Sequence, residues 1–176
     1  FHTEYVVDNF SKYVLTDIKP RKLSVAAQKL ANYGKLEVRK CKAESLSLAN
    51  NEFDRVIFMC VLHHLEGIRE SLDEARRVTK SGGWVSIYLP CDPGALYRFT
   101  RFIFLFRRLR DLNLNYQVMN AFEHRNHFKS LISIIKEMFV YDEINIKYYP
   151  LPFPTWNFNL YAVIHIRIEK HKRSSH

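Results

Sequence analysis

Asp17 closes a β-prone run, Tyr13-Val-Leu-Thr-Asp-Ile18, that Pro20 stops. A carboxylate at the end of a βαβ strand can accept hydrogen bonds from two neighbouring ribose hydroxyls, and in dinucleotide folds it stands roughly 20 residues after a glycine loop. Counting back that far reaches the start of the chain, and no Gly-x-Gly can be written with its five glycines. An aspartate here can equally satisfy a loop or cap a helix. His63 and His64 follow an apolar run, where an imidazole can take a proton from a hydroxyl near neutral pH. The plainer alternative is a histidine that packs or caps a loop. His63-His-Leu-Glu-Gly67 lacks the His-Glu-x-x-His spacing of a zinc helix, so no metal is expected. Glu123-His-Arg-Asn-His-Phe128 gathers ionisable groups ahead of a helix. There His124, Arg125 or His127 can meet a polar substrate, or Asn126 can cap the helix while Glu123 pairs with Arg125. Trp156 can stack on a sugar or an aromatic ring, or belong to the core.

These residues need elements to hold them. Tyr13 to Ile18 reads as a strand and Leu23 to Tyr33 as a helix with Gly34 as its stop. Leu36 to Cys41 reads as an edge-like strand. Asp54 to Leu62 is a nearly unbroken apolar run, the pattern of a parallel strand covered on both faces. Ile68 to Thr79 is amphipathic and helical, ended by Ser81-Gly82-Gly83, and Trp84 to Leu89 is the next strand. Helices over Ala95 to Leu109 and Asn126 to Phe139 follow, then strands over Glu143 to Tyr149 and Asn159 to Ile168. Alternating strands and helices predict an α/β fold, a doubly wound, mostly parallel sheet with right-handed crossovers and an antiparallel final pair. In such a sheet, ligands bind beyond the carboxyl ends of the strands. That places Asp17, Ala43, Glu44, the Cys60 to His64 segment, Pro90 to Pro93 and the Tyr149 to Trp156 connection on one rim.

At 176 residues the chain suits one domain, and 47% hydrophobic with 26% charged residues excludes wholesale disorder. A net charge of +9 favours an anionic partner without choosing one. Cys41, Cys60 and Cys91 are an odd number without Cys-x-x-Cys spacing, which reads as buried free thiols in a reducing, cytoplasmic setting. Phe99, Phe102, Ile103, Phe106 and Leu109 recur at helical spacing among Arg98, Arg101, Arg107, Arg108 and Arg110. Three readings stay open for this segment: a lid over a substrate pocket that Tyr97 lines, a helix lying on an anionic membrane surface, or a helix packed on the sheet with surface arginines.

Taken in order, the pieces resemble the class I S-adenosylmethionine-dependent methyltransferases. They are Tyr13-Val-Leu-Thr-Asp17-Ile, Ala43-Glu44-Ser-Leu, Phe53-Asp-Arg-Val-Ile-Phe-Met-Cys-Val-Leu-His-His64, Leu72-Asp-Glu-Ala-Arg-Arg-Val-Thr-Lys-Ser-Gly-Gly-Trp84 and Val85-Ser-Ile-Tyr-Leu-Pro90. The resemblance covers residues 13 to 90 closely and residues 94 to 176 in layout. It implies that Asp17 holds the ribose hydroxyls of S-adenosyl-L-methionine, that Ile18 packs on the adenine, and that Ala43 and Glu44 line the adenine edge. Met59 and Cys60 would lie near the methionine portion, and His63 and His64 near the transferred methyl group. This chain has Lys42 where many relatives carry an aspartate, and it lacks the glycine-rich first motif. Phe1-His-Thr-Glu4 is similar to the start of the helix that follows that motif. The expectation is a single methyltransferase-like domain over 1–176, incomplete at its N-terminus, with a helical substrate or lid insertion over 94–140.

The predicted function is methyl transfer to a small-molecule acceptor, such as a sugar or lipid-linked hydroxyl, with Tyr97, His124, Arg125 and Trp156 on the acceptor side. Contact with a membrane surface through 95–110 and assembly into a homo-oligomer remain open, and nucleic acid ranks last because no RNA-binding motif is present. The alternative is a methyltransferase-like interaction module that no longer binds the cofactor.

Overall fold

Val14, Leu15, Leu36 and Val38 supply the apolar, partly β-branched character that makes strands β1 (Tyr13–Asp17) and β2 (Leu36–Lys40). The computed structural model describes residues 10–29, 36–110 and 126–169. The two strands pair in parallel, with Tyr13 opposite Leu36 and Asp17 opposite Lys40. Parallel strands need a crossover, and helix α1 (Pro20–Lys29) begins it. Pro20 does more than stop the strand: it opens the helix, where its missing N–H is no loss. The helix therefore starts earlier than its apolar spacing alone implied, and it buries Leu23 and Ala26. Gly34, expected to end it, lies outside the described residues.

The chain divides into two compact units, Phe1–Ser47 and Leu48–His176. In the second, β3 (Phe53–Met59) runs parallel to β4 (Thr79–Pro90) across helix α2 (Ile68–Val78). Helices α3 (Ala95–Arg110) and α4 (Phe128–Met138) precede the antiparallel strands β5 (Glu143–Tyr149) and β6 (Tyr161–Arg167). The sheet order is β3-β4-β6-β5. The α/β expectation and its antiparallel final pair are therefore met.

Alternation along the two inner strands builds the core. Val85, Ile87 and Leu89 of β4 and Ala162, Ile164 and Ile166 of β6 are fully buried, as are Leu72 and Ala75 of α2 and Ile135 of α4. Two expectations change here. Phe58 is the one buried residue of β3, because β3 and β5 lie at the ends of the sheet order and β4 takes the central position. Ser81-Gly82-Gly83 does not end the helix; α2 stops at Val78 and the glycines are part of β4. A Cβ on Gly83 would lie 2.8 Å from Thr79 Cγ2 and 2.9 Å from the Asp54 carbonyl oxygen, so only glycine lets the strands close at that point. Behind the sheet, Arg76 of α2 pairs with buried Asp142 at 2.5 Å and donates to the Met138 carbonyl. The Glu169 N–H donates to the other Asp142 oxygen at 2.7 Å.

Candidate functional site

In the first unit, Asp17 stands at the carboxyl end of β1, as the strand reading required. Its Oδ1 accepts the Lys19 N–H at 2.8 Å, and the Lys22 ammonium lies 3.9 Å from Oδ2. The loop-satisfying role is thus real, yet a carboxylate has about four acceptor positions and this one keeps room for hydroxyl donors. Ile18 follows it with 51% of its surface exposed, an apolar side chain beside a hydrogen-bonding group. Ala43 and Glu44 are half-buried in the tight turn that follows β2, closed by the Ser45 N–H to the Lys42 carbonyl. Because β1 and β2 are parallel, both strand ends face one edge of this small sheet. Arg39 ties the same turn down by donating to the Ser47 carbonyl at 2.9 Å.

In the second unit, Cys60 ends β3 with φ near +51°, a left-handed conformation that a non-glycine residue adopts at a cost of about 1–2 kcal/mol. The kink turns the chain straight into a 3-10 turn, Leu62–His64. His63 is buried, with 5% of its surface exposed, while His64 is exposed. Their rings lie 3.9 Å apart, tilted by 42°. Asn126, one candidate cap for α4, does not cap it; its side-chain amide donates to the Leu65 carbonyl at 2.8 Å and its N–H to the His63 carbonyl. Asn126, two residues ahead of α4, is therefore a tether for the histidine turn.

Three tyrosines that the sequence did not single out gather at this end of the sheet. Tyr88 closes β4, Tyr161 opens β6 and Tyr149 ends β5; antiparallel pairing brings all three to the carboxyl end of β3 and β4. Tyr88 and Tyr161 stack at 4.7 Å, and Tyr149 and Tyr161 at 5.0 Å. Burial, helped by nearby Cys60, Tyr161, Tyr97 and Cys91, pushes the Tyr88 hydroxyl up to about 12. Tyr88 is therefore a neutral hydrogen-bonding phenol across the physiological range. Burial likewise raises the Cys60 thiol, and the Cys91 thiol to about 12. All three cysteines are free thiols, but Cys60 is exposed and not the buried residue its apolar run suggested, because the left-handed turn carries it out of the strand.

Tyr97 in the first turn of α3 is half-buried, with the Arg101 guanidinium 5.8 Å from its ring centre. Trp156 is half-buried as well, and the Lys129 ammonium sits 4.9 Å from its ring centre. One face available for stacking is thus taken by a cation. Asn159 organises the connection around it: its side chain accepts the Leu151 N–H and donates to the Phe153 and Thr155 carbonyls. His124 and Arg125 lie outside the described residues. So do the other residues of 111–125 within the expected 94–140 insertion. Among the described residues no cluster of three metal-ligating side chains occurs, and no helix is long and apolar enough to cross a membrane.

The family model described as a methyltransferase domain matches residues 1–87, the stretch that carries Asp17, the turn at Ala43 and both histidines. That match supports a class I S-adenosylmethionine-dependent methyltransferase. The uncharacterized protein YafE of Escherichia coli strain K12 is 28% identical over 156 residues, covering 84% of this chain and 69% of YafE. Among solved structures, the CurJ carbon methyltransferase matches 96% of this chain at 17% identity with a TM-score of 0.64, and this chain spans 45% of its length. A SAM-dependent methyltransferase of Methanosarcina mazei matches 97% of this chain and 88% of its own at 16% identity, with a TM-score of 0.62. The [4+2]-cyclase SpnF matches 96% of this chain and 71% of its own at 12% identity, with a TM-score of 0.65. At such identities the likeness is one of fold, and the cyclase shows that the fold alone does not fix the reaction.

Methyltransferases of this class use S-adenosylmethionine, and the first unit's residues fit its adenosine half. An acceptor carboxylate with spare lone pairs stands beside an exposed aliphatic side chain. For the methionine half the 176 residues contain no glycine-rich cradle.

Proposed function

We propose that the chain transfers the methyl group of S-adenosylmethionine to a hydroxyl of a small acceptor, a sugar or a lipid-linked saccharide. The observation that carries this reading is the exit from β3. There a left-handed Cys60 leads into a buried His63 whose ring lies tilted against that of an exposed His64, within the stretch that the methyltransferase family model matches. Bound S-adenosylmethionine supplies an electrophilic methyl on its sulfonium. Asp17 would receive the ribose hydroxyls, Ile18 would support one adenine face, and Ala43 and Glu44 would border the adenine. Met59 and Cys60 would serve the methionine portion. His64 would accept the acceptor hydroxyl's proton at a ring nitrogen, while the bound cofactor would give up its methyl to that oxygen and leave as the neutral thioether. His63, fixed through its carbonyl by Asn126, is a positioning residue that keeps His64 in place. The tyrosine stack orients the acceptor through flat apolar faces and phenolic hydroxyls, which lowers the entropic barrier to in-line attack. Tyr97 and Trp156 border it, with His124 and Arg125 as further acceptor contacts.

The test is methyl transfer from labelled S-adenosylmethionine to a panel of monosaccharides and lipid-linked saccharides. His64→Gln lowers kcat by about 10²–10⁴ with cofactor affinity unchanged. Asn126→Ala, which frees the histidine turn, lowers kcat less. Unchanged kcat in His64→Gln removes the proton-acceptor role, and the absence of product with every hydroxyl acceptor overturns the acceptor class.

A further inference from the structure

Large apolar side chains crowd the outside of two neighbouring elements. On α3, Phe99, Phe102 and Ile103 share one stripe at i, i+3 and i+4, and the two phenylalanines are 61% and 59% exposed. On the connection between β5 and β6, Leu151, Phe153 and Phe158 are exposed, the latter two at 62% and 60%. That connection is no loose loop. Asn159 is fully buried and holds it with bonds of 2.8, 3.0 and 2.9 Å to the Leu151 N–H and the Phe153 and Thr155 carbonyls. It also adjoins α3, which packs on the 3-10 turn Trp156–Phe158. Gly94, just before α3, approaches so closely that an added Cβ would lie 2.6 Å from the Trp156 carbonyl oxygen. Six exposed apolar side chains thus sit on a fixed frame, a concentration that marks an interaction surface.

The charge around them selects the partner. α3 carries five arginines and no acidic residue, and no acidic residue occurs from Ile144 to Ile168. Arg98 is exposed at the border of the apolar stripe, and Lys129 stands over Trp156. A nucleic acid would use the arginines and the phenylalanine faces, but Ile103 and Leu151 offer nothing to a base, whereas acyl chains accept all six side chains. With 16 residues, α3 extends about 24 Å. That is short of the roughly 30 Å hydrocarbon core, and its arginines forbid burial there. It suits lying in the interface.

We propose that α3 and the connection 150–158 form a docking surface for an anionic lipid bilayer, with the phenylalanines at the acyl boundary and the arginines at the headgroups. Docking depends on neither the cofactor nor the acceptor, so its test is separate from that of methyl transfer. Vesicle flotation compares phosphatidylcholine alone with an equal mixture of phosphatidylcholine and phosphatidylserine. The protein floats with the mixed vesicles and not with the neutral ones, and added salt weakens the association. Phe99→Ser/Phe102→Ser and, separately, Phe153→Ser/Phe158→Ser each lower partitioning by roughly tenfold or more. Arg98→Glu, at an exposed position that disturbs no packing, lowers it by about tenfold. Circular dichroism verifies that each variant is folded, and Arg98→Glu carries the test if a serine pair is not.

Equal flotation with neutral and anionic vesicles, or none with either, overturns the proposal. So does partitioning that survives the folded variants. A dimer in analytical ultracentrifugation that the serine pairs dissolve, with vesicle binding unaltered, assigns the surface to a second copy instead. Tight single-stranded oligonucleotide binding without vesicle binding assigns it to nucleic acid.

Discussion

Gly94→Ala tests how tightly the rim of the second unit is built. The added Cβ would stand 2.5 Å from the Cys91 carbonyl oxygen and 2.6 Å from that of Trp156. Carbon–oxygen contacts ordinarily begin near 3.3 Å, so both approaches are too close by about 0.7–0.8 Å. Both obstacles are backbone atoms and cannot rotate aside. One of them, the Cys91 oxygen, already accepts the Gly94 N–H at 2.6 Å. Overpacking of this kind costs about 1–3 kcal/mol, and two backbone clashes place it at the upper end. The reduced freedom of the unfolded chain returns about 0.4–1 kcal/mol. The net expectation is a loss of about 2 kcal/mol, or a Tm lower by about 4–8 °C for a chain of this size. Urea unfolding followed by circular dichroism measures it, and the emission of Trp156 reports the local shift. Gly82→Ala is the comparison: φ is +78° there and nothing lies within 4 Å of the new carbon, so only the left-handed penalty of about 1 kcal/mol applies. Should Gly94→Ala prove no more damaging than Gly82→Ala, the close approach of α3 to the Trp156 turn would be refuted.

Asp142→Ala removes the Arg76 ion pair and the acceptor of the Glu169 N–H behind the sheet, and costs about 3 kcal/mol in urea unfolding; Asp142→Asn, which keeps an acceptor, costs less. Cys91 gives a pH dependence of definite sign. Its thiol is fully buried and pushed from an ordinary value near 9 up to about 12, so above pH 9 the unfolded chain releases a proton that the folded chain keeps. Its contribution is whole below pH 9 and lost as pH rises, with a slope approaching about 1.4 kcal/mol per pH unit. From pH 9 upward the native protein loses stability more steeply than Cys91→Ala, as urea unfolding at stepped pH will show.

What the sequence made legible was local. Glu143 to Tyr149 alternates cleanly, and the strand has those bounds. Asp17 could be placed because a strand end and a following proline are adjacent in the chain. What escaped depends on distant partners. The Gly82-Gly83 pair reads as a helix stop, yet Gly82 donates to the Ile168 carbonyl and Gly83 accepts from the Ile168 N–H, which makes the pair part of a ladder. The tyrosine stack exists because three strands remote in sequence align in one register, and no spacing within any one of them encodes it. Cys60 sits in an apolar run that argues for burial, and only the backbone shows the left-handed exit. Asn126 has the chemistry of a helix cap, but the histidine turn offered its amide a better carbonyl.

The central claim is that this chain uses S-adenosylmethionine through Asp17. Calorimetric titration of S-adenosylmethionine into the protein and into Asp17→Ala tests it most directly. Loss of two hydrogen bonds to a charged acceptor predicts binding to the native protein and an affinity at least roughly tenfold weaker in the variant. Equal affinity in the two proteins, or no binding to the native one, would contradict the account.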